Sequence, residues 1–383
     1  MTYAIIAVGY NRPLEMKRLL DSLCQAQIGD IEVDLIISLD KSDKQEDLKK
    51  ICEEIQWDHG EKIIRPFSER QGLRNHILQC GDLTDRYDAV IVLEDDLVVA
   101  KGFMQYVVAA TDKYHSCTEI AGISLYTHRT NPGNGRFFEA QYNGFDTFMM
   151  QYAQSWGQCW TKEMWTGFRA WYKKQGETLC ADEKYPEYVA EWNKQSWLKY
   201  YIKYTVETRK FHIYPYFSLT TNSSAVGEHN NVVSSAYQVP LQYGIVKDYR
   251  LPDVDEAVKY DAFFERIFDK DPWGGQYGRV VYDLYGLRKN YGNADTVVSV
   301  NKLPFKIYAE IGLLYRPIEQ NILTPEVGRG IYVYDIHRAS PVPKVSSTSI
   351  LADYEFRAQS GRMTLQHGIN KLKQKIRNRV KRK

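Results

Sequence analysis

The sequence predicts an α/β fold, a mixed but mostly parallel sheet with helices on both faces and a C-terminal helical extension, and three observations carry that prediction. Continuous apolar runs such as Tyr3–Val8 read as strands covered on both sides. Segments of helical periodicity alternate with those runs up to about residue 100. Cys24, Cys52 and Cys80 lie 28 residues apart, and each precedes a strand-like run, Val33–Leu39, Lys62–Arg65 and Asp88–Leu93. The cadence fits repeated helix-then-strand units. With no Cys-x-x-Cys pair to suggest zinc or redox chemistry, the six cysteines are expected to be reduced and buried.

After the first strand, Asn11-Arg12-Pro13 opens a helix with Pro near its first position, and Met16, Leu19, Leu20 and Leu23 follow at helical spacing. The run Val90–Val98 contains the acid triplet Glu94-Asp95-Asp96. Three adjacent carboxylates repel one another, so such a triplet at a strand's end calls for a cation, although acids also end strands and cap helices. Side chains alternate along a strand, which puts Glu94 and Asp96 on one face and Asp95 on the other, with Asp96 the preferred ligand. Ligands of parallel sheets gather at the strands' carboxyl ends. Arg12, Asp40 and the triplet all fall at such ends.

Beyond the triplet, Phe103, Tyr106, Val107 and Ala110 mark an amphipathic helix, Gly122–Tyr126 a strand, and Trp192–Glu207 another helical stretch before His212–Leu219 returns as a strand. Asn222–Asn231 reads as a loop. After about residue 250 the signal weakens to short helical stretches and a Gly-rich patch at Trp273–Gly278. Ser346–Ser349 suggests a linker. Ile369, Leu372, Ile376 and Val380 then form an apolar stripe on a basic helix, suited either to peripheral contact with an anionic membrane through residues 366–383 or to a solvated tail. The expected organisation is residues 1–245 as the main domain, with halves 1–100 and 101–245, then 246–345 as an extension and 346–383 as linker and tail.

A chain of 383 residues with a formal charge of +2 has no global pull toward nucleic acid and has the size of a small-molecule enzyme. Its 29 Tyr and 8 Trp are of the kind that line sugar or base pockets, with most of the rings expected to be packing. No run approaches the roughly 20 apolar residues that span a bilayer, and no basic-then-apolar leader precedes Tyr3, so a cytoplasmic location is expected, at the inner face of the cell membrane if the tail docks.

Several segments together resemble glycosyltransferases of the Rossmann-like GT-A fold, in particular bacterial family 2-like enzymes related to N-acetylglucosaminyltransferase I. Ile6–Pro13 resembles the opening strand and turn, whose Arg lies near the nucleotide base, a role that falls to Arg12. Leu35–Asp40 resembles the strand whose final Asp reads uracil, which makes Asp40 the base-reading residue. In Arg70–Ile77 the resemblance puts Gly72 and Arg74 beside the donor, Arg74 against phosphate. Leu93–Leu97 resembles the metal-binding acid motif, so Asp96 is expected to hold Mn²⁺ or Mg²⁺, Glu94 the ribose hydroxyls, and Asp95 the turn. Ser155–Trp160 resembles a Trp-Gly-Trp segment beneath the acceptor, with Gln158 in place of the second aromatic. Tyr214–His229 resembles a strand and donor-covering loop in which His229 meets diphosphate or metal.

The resemblance implies a metal-dependent, inverting transfer of a hexosyl or N-acetylhexosaminyl group from a nucleotide-sugar donor, UDP-linked if Asp40 reads the base. The acceptor would be a glycan or lipid-linked oligosaccharide in bacterial surface polysaccharide biosynthesis. Inversion needs a carboxylate to take the acceptor's proton. Aligning the related enzyme's base-Trp pair on Trp197 would put Ser196 in that role, so Glu191, directly before Trp192, is selected, with Asp182, Glu183 and Glu187 left open. Two alternatives stand beside this reading: a non-catalytic carbohydrate-binding protein, and a sugar nucleotidyltransferase, disfavoured because residues 7–13 hold a single Gly.

Overall fold

A computed structural model describes residues 1–175, 179, 184–223, 237–342 and 347–380. Two compact units make up the chain, Met1–Asp269 with Leu287–Asn290, and Lys270–Gly286 with Tyr291–Lys383.

The first unit begins with the alternation the sequence predicts: β1 (Tyr3–Gly9), α1 (Pro13–Cys24), β2 (Val33–Leu39), α2 (Gln45–Glu54), β3 (Lys62–Pro66), α3 (Leu73–Gly81) and β4 (Ala89–Glu94). Every residue of β1 is buried, as its unbroken apolar run requires. Pro13 sits in the first turn of α1, where its missing N–H costs nothing, and Met16, Leu19, Leu20 and Leu23 are its buried stripe. The evenly spaced cysteines lie at or near the ends of α1, α2 and α3. Cys52 and Cys80 are buried, but Cys24 is exposed and Cys117 only half-buried. Cys24 closes α1 beside the turn, off the helix's apolar stripe.

A short β5 (Leu97–Val99) follows the acid turn, then α4 (Phe103–Tyr114), β6 (Ile120–Ser124), β7 (Thr147–Met150), β8 (Gln158–Thr161), α5 (Lys162–Tyr172), α6 (Glu187–Ala190), α7 (Leu198–Glu207), β9 (Phe211–Pro215), β10 (Thr220–Asn222), β11 (Lys259–Tyr260) and β12 (Arg266–Ile267). Ten strands form one sheet in the order β12-β11-β7-β9-β6-β8-β4-β1-β2-β3, and β5 pairs with β10 in a separate ribbon. Five of the nine neighbouring pairs are parallel, among them β4-β1, β1-β2 and β2-β3. β8 runs antiparallel to both β4 and β6, so β6 points the same way as β4. The core packs Ile5, Ala7, Leu35, Ile37, Ile91 and Leu93 of the parallel strands against Leu19, Leu20, Phe103 and Val107 of α1 and α4.

The second unit corrects the reading of the C-terminal extension as helical up to residue 345. It contains β13 (Val280–Asp283), β14 (Thr296–Ser299), β15 (Phe305–Gly312), the short α8 (Gln320–Leu323) and β16 (Gly330–Ala339), and only then α9 (Ser347–Phe356) and α10 (Gly361–Val380). The strands make a sheet of order β13-β14-β16-β15, over a small core of Val297, Tyr332 and Tyr334. Along β15 exposure alternates residue by residue through Phe305-Lys306-Ile307-Tyr308-Ala309-Glu310, the period of a sheet with one wet face. No helix among the described residues is long and apolar enough to cross a membrane.

Candidate active site

Topology brings the predicted residues to one sheet edge. In β1, Val8 pairs with Ser38 of β2 on one side and Glu94 of β4 on the other, so the three strands end side by side. Arg12, three residues past the end of β1, therefore reaches the acid triplet. It donates through Nη2 to Asp95 Oδ1 and through Nη1 to Asp96 Oδ2, the latter at 3.2 Å. Asp95 turns away from its neighbours and is 3% exposed, while Glu94 and Asp96 share a face on a cleft of about 430 Å³. Leu97 resumes the chain as β5.

The electrostatics follow from that crowding. Burial, together with the charge of Asp96, pushes the Glu94 carboxyl up to about 8 against the pull of Arg12. Burial likewise lifts Asp95 to about 7, again with Arg12 opposing. One guanidinium thus compensates three carboxylates incompletely. Asp96 Oδ1 is buried with no hydrogen-bond partner among the described residues, an unfavourable state for a carboxylate oxygen unless a ligand completes it. No group of three His, Cys, Asp or Glu converges among the described residues. Manganese and magnesium, however, are commonly held by one or two carboxylates with the remaining positions filled by phosphate oxygens and water. Glu94 and Asp96 fit a cation of that kind.

Asp40 lies at the same edge, 3% exposed. Its Oδ1 accepts from the backbone N–H of Lys41 at 2.8 Å and of Gln71 at 2.7 Å, and its Oδ2 from that of Gly72 at 3.0 Å. The carboxylate therefore ties the end of β2 to the turn before α3. Gly72 caps α3 with φ +71°, ψ 156°, a combination nearly confined to glycine, and an added Cβ would lie 3.2 Å from Gln195 Oε1. Arg74 points to Tyr200, 3.3 Å from its hydroxyl and 5.6 Å from its ring centre, and does not line the cleft. Glu191 is exposed at the end of the one-turn α6, whose buried residue is Val189. The cleft takes its neighbour Trp192 instead. His229, Asp182 and Glu183 lie outside the described residues.

Facing the acids is an aromatic wall of Tyr152, Trp156, Trp192, Trp197, Tyr237 and His128, with Gln154, Ser155, Asn193, Ser196 and Asn222 as polar members. Trp156 stacks on Tyr237 with centroids 4.6 Å apart. Gln154 braces the turn beneath it, donating to Ser124 Oγ at 2.7 Å and Gly157 O at 2.8 Å. Gly157 has φ +95° and passes so close to Thr220 that a Cβ would meet its Cγ2 at 2.9 Å. The sequence pointed to Ser155–Trp160 but not to His128. The rule that found Arg12 and Asp40 would have found it, because His128 follows the end of β6, which points toward the same sheet edge as β4.

No protein-family profile matches this chain, and no curated protein does. Three solved structures similar to it are TarS residues 1–349 of S. aureus (14% identity over 52% of this chain and 55% of that one, TM-score 0.33), the mannosyltransferase PcManGT of Pyrobaculum calidifontis in complex with GDP-Man and Mn²⁺ (10%, 42% and 44%, 0.30), and mouse xyloside xylosyltransferase 1 (10%, 55% and 84%, 0.35). The chain spans about half the length of the first two. At such identities and scores the reading of the site rests on its own geometry.

Proposed function

We propose that the chain is a metal-dependent GT-A glycosyltransferase that takes a sugar from a nucleotide-sugar donor, UDP-linked by the resemblance alone since both Asp40 oxygens are engaged by backbone N–H groups, and passes it to a glycan or lipid-linked acceptor. One observation carries the reading: at the carboxyl end of a central parallel strand, Glu94 and Asp96 face an aromatic-walled cleft, and Asp96 keeps a buried oxygen without a partner among the described residues. Manganese or magnesium held there would neutralise a leaving diphosphate. Arg12 holds Asp95 aside and Asp96 in place, Asp40 fixes the turn at Gly72, and the aromatic wall excludes water from the sugar. N-acetylglucosaminyltransferase I remains the enzyme whose motif order this chain resembles, and a cytoplasmic setting in surface polysaccharide synthesis accords with that resemblance.

The test is donor hydrolysis and calorimetric UDP binding with and without Mn²⁺. Wild type is expected to bind UDP in a manganese-dependent way and to release UDP slowly from a UDP-sugar. Asp96→Ala is expected to lose at least a hundredfold of hydrolysis and the manganese dependence, while keeping its fold by circular dichroism. Unchanged manganese-dependent binding in the variant would overturn the reading. The aromatic wall also suits a carbohydrate-binding protein without catalysis, and wild type that binds glycans but no sugar nucleotide would establish that alternative.

A further inference from the structure

His128 belongs to the aromatic wall, but the proposed chemistry leaves its ring nitrogens unused. It is 3% exposed, yet its ring lines the cleft beside Tyr152 and Trp156. Among the described residues five aromatic rings surround it, with centroids 5.2 to 5.9 Å away: Tyr126, Tyr152, Trp156, Tyr214 and Phe264. Nε2 has no hydrogen-bond partner among the described residues. His212 is similarly buried and unpartnered but belongs to the packed interior of β9 and does not line the cleft. His76, in contrast, pairs with Ser38 at 2.7 Å.

The cage around His128 is also built at a conformational cost. Phe264 holds φ +71°, a left-handed value rare for a residue with a side chain. Asp261 enforces it by accepting from the N–H groups of Phe263 at 2.8 Å and Glu265 at 3.0 Å, and Arg288 in turn pairs with Asp261. Asn131 donates to Phe263 O at 3.2 Å. The outcome is a Phe264 ring set edge-on against both His128 and Tyr152. Backbone strain of this sort persists where surrounding structure over-determines it, commonly beside a ligand site.

We propose that His128 is a specificity-determining residue whose imidazole hydrogen-bonds a hydroxyl of the neutral sugar ring held in the cleft, an inference that rests on the glycosyltransferase reading. Burial pushes the imidazole down to about 3, so it remains uncharged at neutral pH, with one nitrogen donating and the other accepting. Nε2 can therefore meet a hydroxyl as donor or as acceptor, since a hydroxyl does both, whereas a carboxylate or phosphate would call for a cation. Either the donor's sugar or the acceptor's supplies the hydroxyl.

Calorimetry on the full chain with Mn²⁺ separates these sources. The probes are UDP, UDP-N-acetylglucosamine, UDP-glucose, GDP and GDP-mannose, and then methyl glycosides of the same sugars in the presence of saturating UDP. His128→Phe keeps an aromatic ring in the cage, and His128→Gln keeps a hydrogen-bonding group near Nε2; His128→Met replaces the Phe variant should that one fail to fold. The Phe variant is expected to bind free diphosphate as wild type does and to lose about tenfold in affinity for a sugar-bearing probe, with most of the loss restored in the Gln variant. Loss on the nucleotide sugar assigns the hydroxyl to the donor, and loss on the glycoside assigns it to the acceptor. Equal affinity of wild type and His128→Phe for every sugar-bearing probe overturns the proposal, as does an equal loss for free diphosphate. Wild type that binds no nucleotide at all overturns the parent reading, and this one with it.

Discussion

Arg12 holds the acid triplet through two ion pairs, with Asp95 and Asp96, and its value depends on whether those acids are ionised. Burial alone would keep Asp95 and Glu94 protonated, and the guanidinium pulls both downward, to about 7 and about 8. Removing it lets both rise further. Below pH 6 the two acids carry protons with or without Arg12, so little is lost there. Above pH 8 the variant must either leave buried charge uncompensated or take up protons against solvent. Arg12→Met is therefore expected to cost about 2 kcal/mol at pH 8.5 and less than about 1 kcal/mol at pH 6, the ceiling being set by proton uptake. Urea unfolding at the two pH values measures the difference. An equal cost at both would mean that Arg12 acts through packing or through its pair with Asp96, and not through Asp95 and Glu94.

At the scale of elements, what was legible in the sequence were the features that repeat or break a pattern. The run in β1, the stripe of α1 and the acid triplet each showed a clear period or a clear interruption, and the convergence of Arg12, Asp40 and Glu94 followed from β1 lying between β2 and β4. Three things were less visible. Asp40 meets backbone groups of residues 71 and 72, partners with no pattern of their own. Glu191 directly precedes a cleft Trp, yet it is the exposed C-cap of the one-turn α6, and Trp192 lies past the helix. In the second unit β13 and β14 have four residues each, too few to set up a clear period, and β16 is buried through its first six residues without alternation. The terminal helix was legible as basic and amphipathic, and α10 is a 20-residue helix with Met363, Leu365, Leu372 and Ile376 at least 61% exposed and no acidic residue in its sequence. Exposed apolar side chains on the same helix as Arg362, Lys371 and Lys373 suit the surface of an anionic bilayer. Full-length protein is expected to sediment with vesicles of 30% phosphatidylglycerol, chosen as a typical anionic fraction. A truncation after Ser360 should stay in the supernatant, and about 0.5 M salt should release the full-length protein by screening the attraction. Equal sedimentation of both proteins would assign α10 to the solvent.

For the molecule as a whole, buried titratable groups set opposing demands on pH. His76 is pushed down to about 4, and His128 and His212 to about 3, in each case chiefly by burial. Between those values and the ordinary imidazole value near 6.5 the unfolded chain binds protons that the fold refuses, so each histidine withdraws stability as pH falls below about 6.5. Glu94 and Asp95 act in the other direction, since their folded values lie above those of free carboxyls, and stability is lost as pH rises from about 4 until it passes about 7 to 8. In the metal-free protein the two sets partly cancel from pH 4.5 to 6.5, and maximal stability is expected near pH 6.5. His212 isolates one side of this balance, because it is enclosed beside Tyr201 with neither ring nitrogen hydrogen-bonded among the described residues. His212→Leu removes one refused proton, so its stability relative to wild type should improve by roughly 1.4 kcal/mol for each pH unit between 6.5 and about 4. Trp fluorescence reports the relevant transition, since seven of the eight Trp, all but Trp273, belong to the first unit. A stability difference that stayed constant across that range would mean His212 accepts its proton in the folded state, and the interior of β9 would have to contain a partner for it.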